Sequence, residues 1–533
     1  MTRGVAAAAA LIAVVTVGAR SAGFGRTVVF SQTVGDTCLG TAYVTANQLP
    51  AVLFEIVIGG ALTAMVVPVL AAAVRRDERE RVRHIVSALI TWVLLLSLPL
   101  AALLALASVP VMTLMLGGGP GCEGAALISL AARMLVVFAP QVVFYGLAAV
   151  LFGVLQAHRR FLGPALAPLI SSLVVVAAYL AFVPLGAQHR QEPATLPLPA
   201  ELTLSLGTTA GVVALFVTAL VPARDLGIRL RPRLTFPPGV GERVRSLATA
   251  SLLPLVAMQA SLLLAVALAN RGGDAGAAVH HSYAWALFTL PYGVVAVPVA
   301  TSAFTELAVA HAEHDRPGFA RLLATGARAV VVITAAAGTA LAAAAGPLAV
   351  ALARVDPLPL ERGLLAYAPG VVGYALVALL SRALYASHDG RRAAIAQVVG
   401  WSVVMACSCA LVWAVPAGWT ITGLGVATTV GTGSAALLLC AGVMSVHGRD
   451  SLAGLPRSVA AALPAGVVGT VAGRAVAALS APTEVWAAVG TALVSGGVAL
   501  VVFGVVVALL DRPAVRVVTG RARKVLERRR GTR

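Results

Sequence analysis

Charge is scarce in this chain. Asp, Glu, Lys and Arg together make up 11% of its 533 residues, and lysine occurs once, at Lys524. With a mean hydropathy of +0.93, that scarcity excludes a soluble globular protein, for which about a quarter of residues would be charged. No polar stretch is long enough to fold into a soluble catalytic domain. The sequence also lacks a nucleophile elbow, a phosphate-cradling glycine loop and a metal-ligand cluster in a suitable context. Its five cysteines have no metal-ligand spacing. The expectation is therefore no catalytic residues, no metal, no cofactor and no ATP-driven pump. Energy for any transport would come from the membrane potential, an ion gradient or the substrate's own gradient.

Apolar runs near 20 residues or longer recur along almost the whole length. Each suffices to cross about 30 Å of hydrocarbon. Fourteen are read, from 5–30 and 41–73 through to 485–510. Barrel strands would alternate at period two, so the fold class is an all-α polytopic membrane protein. Net charge is +18, but its distribution argues against nucleic acid. Of the 39 basic residues, 29 fall in one set of alternate loops and the N-terminal stub, against three (Arg190, Arg271, Arg354) in the opposite loops. By the positive-inside rule both termini are cytoplasmic, which requires an even number of spans. The tail RARKVLERRR is expected to lie against anionic lipid headgroups. The first span resembles a signal peptide, but its removal would leave an odd count, so it reads as retained.

Two segments repeat. APQVVFYGLAAVLFGVLQA (139–157) and APGVVGYALVALLSRALYA (368–386) agree at ten of nineteen positions, including Pro140/Pro369 and Tyr145/Tyr374. Val67-Pro68-Val69 and Val297-Pro298-Val299 form a second pair at nearly the same offset. Each precedes a cytoplasmic loop, so the repeat is read as parallel. The expected domains are an N-terminal lobe (1–222, spans 1–6), a cytoplasmic linker (223–246), a C-terminal lobe (247–446, spans 7–12), two appended spans (447–510) and a basic tail (511–533). Pro50, Pro68, Pro99, Pro140, Pro254, Pro291, Pro298 and Pro369 fall within spans and predict bends. Gly59-Gly60 adds a close-packing or hinge position.

Charges inside spans are the candidates for function, because each costs roughly 2.5–3.5 kcal/mol to insert. Arg20 and Arg26 share the first span. Six helical residues separate them by about 9 Å of rise and leave them about 120° apart around the axis, so they could line one wall at two depths. Guanidinium is suited to bidentate phosphate binding. Snorkelling to the interface is the alternative for either. Glu55 lies mid-span and reads as a partner of Arg20 or Arg26, or as a proton- or cation-coupling site. Arg133, Arg328 and Arg474 receive no role. Glu306 and Arg382 read as interfacial, and His280-His281 as a solvated pair at an outer helix end. Cys407, Cys409 and Cys440 read as packing residues. Cys38 and Cys122 fall in extracytoplasmic loops, where a disulfide between them is an open expectation.

Several motifs, in order, resemble the MurJ/MviN-type lipid II flippases of the multidrug/oligosaccharidyl-lipid/polysaccharide exporter superfamily. Arg20-Ser-Ala-Gly-Phe-Gly-Arg26 is similar to that family's first helix. Gln48-Leu49-Pro50, Gly60-Ala61 and Val67-Pro68-Val69-Leu70 are similar to its second. Phe138 through Phe161, Pro291 through Pro298 and Ala366 through Tyr385 are similar to its fourth, eighth and tenth. The resemblance implies two six-helix lobes around a cavity, and alternating access that carries a lipid-linked peptidoglycan precursor to the outer leaflet in cell-wall biogenesis. It implies that Arg20 and Arg26 engage the diphosphate, and that cell-wall synthesis or division proteins are partners. The chain departs from the pattern at Phe54-Glu55, where the family has an arginine pair. It departs again at Thr41 in place of an aspartate and at Ala286 in place of an arginine. A cation-coupled exporter of small amphiphiles and a non-transporting cell-wall scaffold are the alternatives from other functional classes.

Overall fold

A computed structural model describes residues 2–56, 66, 70–71, 73–117, 122–227, 230–237, 240–480 and 482–513. Among these the chain is helical, with no strand. Helices dominate because a span in lipid must satisfy its backbone groups within itself. Among the described residues, eleven helices are long and apolar enough to cross a membrane. They become twelve if Leu358–Tyr367 and Gly370–Ala386, bent by 41° at their break, count as one. Pro68 and Gly59-Gly60 lie outside the described residues.

The helices gather into two compact units, Met1–Val279 and His280–Arg533. The first contains α1 (Thr2–Thr33), α2 (Cys38–Phe54), α3 (Arg79–Leu106), α4 (Ser108–Leu116), α5 (Gly124–Phe138), α6 (Gln141–Ala157), α7 (Leu162–Gly186), α8 (Leu198–Arg224) and α9 (Val240–Gly272). Within it α7 packs on α8 and α1, α6 on α8 and α3, and α2 on α5. The C-terminal end of α9 packs on α2 and α4. A Cβ at Gly207 or Gly211 would run into Ala178 or Val175, so these glycines, four apart, set the close approach of α7 and α8.

Helix α10 (Ala277–Pro291) leads into the second unit. A π-helical segment, Tyr292–Ala296, follows Pro291 and joins it to α11 (Val297–Ala312). Then come α12 (Arg316–Ala343), α13 (Ala345–Leu352), α14 (Leu358–Tyr367), α15 (Gly370–Ala386), α16 (Gly390–Ala414), α17 (Thr420–His447), α18 (Leu455–Ser480) and α19 (Val485–Leu510). Here α16 packs on α17, α15 on α17 and α12, and α18 on α19 and α12.

The prolines act in two ways. Pro140 and Pro369 each end one helix and open the next. At both breaks the chain makes i to i+3 turns, with Val142 N donating to Ala139 O and Val371 N to Ala368 O. This follows from the missing proline N–H and its clash with the preceding turn. Pro298 opens α11. Pro50, Pro99 and Pro254, by contrast, sit inside continuous helices.

Candidate functional site

Arg20 and Arg26 both lie on α1, and both are exposed. Glu55 is exposed at the C-terminal cap of α2, its N–H bonded to Ala51 O and Val52 O. Arg26 and Glu55 form no ion pair among the described residues. The Arg26 guanidinium instead lies within electrostatic reach of the Tyr43 and Tyr145 hydroxyls. Phe54, just before Glu55, packs its ring 5.1 Å from that of Tyr145. Arg26, Phe54, Glu55 and Tyr145 thus mark one locality, with two charges left accessible.

A buried hydroxyl relay holds α2 in place. Thr208 donates its single proton to Leu204 O at 2.8 Å, so it can only accept from Tyr43, 2.6 Å away. Tyr43 must then accept from Tyr179 at 2.8 Å. The relay ties α2 to α7 and α8. Phe30 and Phe138 close over it, with ring centroids 5.3 and 5.7 Å from Tyr43. Nearer the helix start, Thr41 Oγ1 accepts from Gly276 N at 3.2 Å, so the position keeps an acceptor although it carries no carboxylate. Cys38, the first residue of α2, is disulfide-bonded to Cys122, with Cα atoms 5.8 Å apart.

Three other charges within the helices have partners far off in sequence. Arg133 makes a forked contact with the buried Glu201, its Nη2 2.8 Å from Oε2. Arg328 reaches the fully buried Asp511 at 3.3 Å, and Ser458 donates to the same carboxylate at 2.7 Å. Arg474 lies 2.6 Å from Glu361. Sequence reading had no role for these three arginines; they neutralise carboxylates 68, 183 and 113 residues away. The solvated reading of His280-His281 is corrected. Both are buried, and His281 Nδ1 lies 3.1 Å from the Tyr367 hydroxyl. That bond compensates for the burial of polar groups. Cys407, Cys409 and Cys440 are free, and Cys409 is exposed. Ala286 is exposed on α10, Glu306 is exposed, and Arg382 donates to Ala378 O at 3.1 Å. Among the described residues no group of His, Cys, Asp and Glu could hold a metal ion.

The sequence profile described as lipid II flippase MurJ matches residues 30–503. The chain belongs to this family. Its members are transporters rather than catalytic enzymes, and the chain is a multi-pass protein of the bacterial plasma membrane. The match includes Thr41, Phe54, Glu55 and Ala286; Arg20 and Arg26 precede it. The chain is 26% identical to the lipid II flippase MurJ of Burkholderia cenocepacia over 381 residues, 69% of this chain and 71% of that one. It is 30% identical to the probable lipid II flippase MurJ of Synechocystis over 254 residues, covering 47% and 46% of the two chains. Among solved structures, a lipid II flippase MurJ in an inward closed conformation superposes with a TM-score of 0.71. It is 19% identical and covers 95% of this chain and all (100%) of that one. An inward-facing multidrug transporter of the MATE family gives 0.64 at 14% identity, covering 82% and 95%. These two likenesses concern the fold.

Proposed function

We propose that this chain translocates lipid II, a polyprenyl-diphosphate-linked peptidoglycan precursor, from the inner to the outer leaflet by alternating access. The observation that carries the reading is the family match over residues 30–503. Arg20 and Arg26, exposed on one helix, bind the diphosphate. A dianionic headgroup gains from two guanidiniums at different depths, because each contributes charge-assisted hydrogen bonds. Glu55 carries an accessible carboxylate in the same locality, which suits coupling to a proton or cation. That placement also favours a second reading, cation-coupled export of a small amphiphile.

The topology we infer has fourteen spans and cytoplasmic termini, with α1 and the segment from Cys38 supplying the first two spans. Two parallel six-helix repeats, 1–222 and 247–446, flank the linker 223–246; residues 447–510 add two spans and 511–533 a basic tail on anionic lipid. Matched packing supports the repeat: α3 on α6, α6 on α8 and α7 on α8 in the first half correspond to α12 on α15, α15 on α17 and α16 on α17 in the second. Division or cell-wall synthesis proteins are the expected protein partners.

Complementation of a strain depleted of its lipid II flippase tests the reading. The wild-type chain should restore growth, Arg20→Ala with Arg26→Ala should not, and Glu55→Gln should reduce it. Rescue by the double arginine variant would refute the diphosphate role. Proton-dependent drug efflux abolished by Glu55→Gln, without rescue by wild type, would favour the exporter.

A further inference from the structure

The linker that follows α8 does not hang free. Residues 230–237 form neither helix nor strand and lie against α3. Arg231 N donates to Ser87 Oγ and Arg233 N to Thr91 Oγ1, both at 3.1 Å. Trp92 Nε1 donates to Leu234 O at 2.9 Å. His84 Nε2 lies 2.9 Å from Thr235 O, and Arg233 Nη1 lies 3.1 Å from His84 Nδ1. A carbonyl can only accept and a guanidinium can only donate, so His84 is the neutral tautomer protonated at Nε2. Leu226 before the strap and Phe236 within it pack against the buried cluster of Val66, Leu70, Val82 and Val86. The strap is therefore pinned at both ends and bonded in the middle.

Its depth follows from length. Helix α3 has 28 residues, about 42 Å, against roughly 30 Å of hydrocarbon. The charged run Arg79–Arg83 fixes the surplus of about eight residues at the end where the helix starts. Ser87 and the strap then sit at the headgroup boundary, where tryptophan and arginine collect. The strap's outward side is amphipathic: Leu230 and Leu234 are 51% and 60% exposed, beside an exposed Trp92 and Arg231. Its charge is also unbalanced. In the preceding loop Arg76, Arg79, Arg81 and Arg83 each pair with Asp77, Glu78 or Glu80. Neither Arg231 nor Arg233 has a carboxylate partner among the described residues.

We propose that residues 230–236, laid on α3, form a binding site for an anionic phospholipid of the inner leaflet. Arg231 and Arg233 face the headgroup phosphate, while Leu230, Leu234 and Trp92 meet the glycerol and upper acyl region. This site rests on the cytoplasmic placement of the linker proposed above, not on the identity of the transported lipid. A cysteine introduced at Thr235 and labelled only from the cytoplasmic side supports that placement; labelling from outside overturns it.

The site itself is tested by native mass spectrometry of the full chain, released from nanodiscs of equal phosphatidylglycerol and phosphatidylcholine. Wild type should retain phosphatidylglycerol preferentially. Arg231→Gln keeps the backbone bond to Ser87 and should lower that preference about fivefold; adding Arg233→Gln should lower it more than tenfold. Arg76→Gln with Arg79→Gln, in the self-neutralised loop, should leave it unchanged. The proposal is overturned if Arg231→Gln retains phosphatidylglycerol as wild type does, or if the loop variant loses as much. It is also overturned if equimolar lipid II displaces phosphatidylglycerol from wild type but not from the strap variants, which would make the strap a substrate contact.

Discussion

The segments 139–157 and 368–386 share sequence and backbone but not surroundings. Each begins at an Ala-Pro break with the same tight turns. Each is preceded by a fully buried ring, Phe138 or Tyr367, and carries a tyrosine five residues after its proline. In the second unit that tyrosine, Tyr374, is nested in rings. Tyr292 stacks on it at 4.2 Å and Phe288 at 5.5 Å, with Trp401 and Trp285 at 6.1 and 6.4 Å. In the first unit Tyr145 has Phe54 at 5.1 Å and the charge of Arg26 within reach. One scaffold thus has two fillings. Rings surround the tyrosine in the second unit, and in the first the exposed Arg26 and Glu55 lie near it. A transporter needs a polar surface its substrate can reach, and on the function proposed above the first unit supplies it.

The contrast breaks most visibly at the tyrosines. Tyr374→Ala should cost about 3–5 kcal/mol, as large-to-small changes among packed rings do. Tyr145→Ala should cost less than half of that. Thermal unfolding of both variants in detergent checks the ordering, and equal losses would erase the distinction. The ion pairs sharpen it next. Asp511→Ala leaves Arg328 without its buried counter-charge and should destabilise by about 3 kcal/mol. Arg133→Ala should cost less, since that guanidinium is half exposed and an exposed ion pair contributes little. Tyr43→Phe should cost about 1–2 kcal/mol, because Thr208 loses a donor and Tyr179 an acceptor. At the small end, Arg26→Ala should change stability by under about 0.5 kcal/mol while abolishing transport, which separates a functional charge from a structural one.

Much of this was legible in the sequence, for particular reasons. Hydropathy is a one-dimensional property, so a many-span helical protein is legible without knowledge of packing; the count is less so, with fourteen spans expected and eleven or twelve candidates among the described residues. The ten identities between 139–157 and 368–386 foretold a shared break, because proline removes the same bond in any helix. Arg20, Arg26 and Glu55 stood out because charge in an apolar run is rare. Partners were not legible. Arg328 meets Asp511 across 183 residues, and no local pattern marks Asp511 as buried. His280-His281 lies at a helix end, where solvation is the ordinary expectation. Its burial depends on Tyr367, 86 residues on. Nor does the composition of the linker, basic and proline-rich, disclose that Ser87, Thr91, His84 and Trp92 present one face of α3 to it.

On the function proposed above, the accessible arginines of the first unit move a diphosphate lipid. The most direct measurement is the amount of lipid II exposed on the outer surface of flippase-depleted cells expressing this chain. Wild type should restore it to the undepleted level, and Arg20→Ala with Arg26→Ala, present in the membrane in equal amount, should leave it at the depleted level. Equal exposure from both forms, or no restoration by wild type, would rule out that role for the arginines.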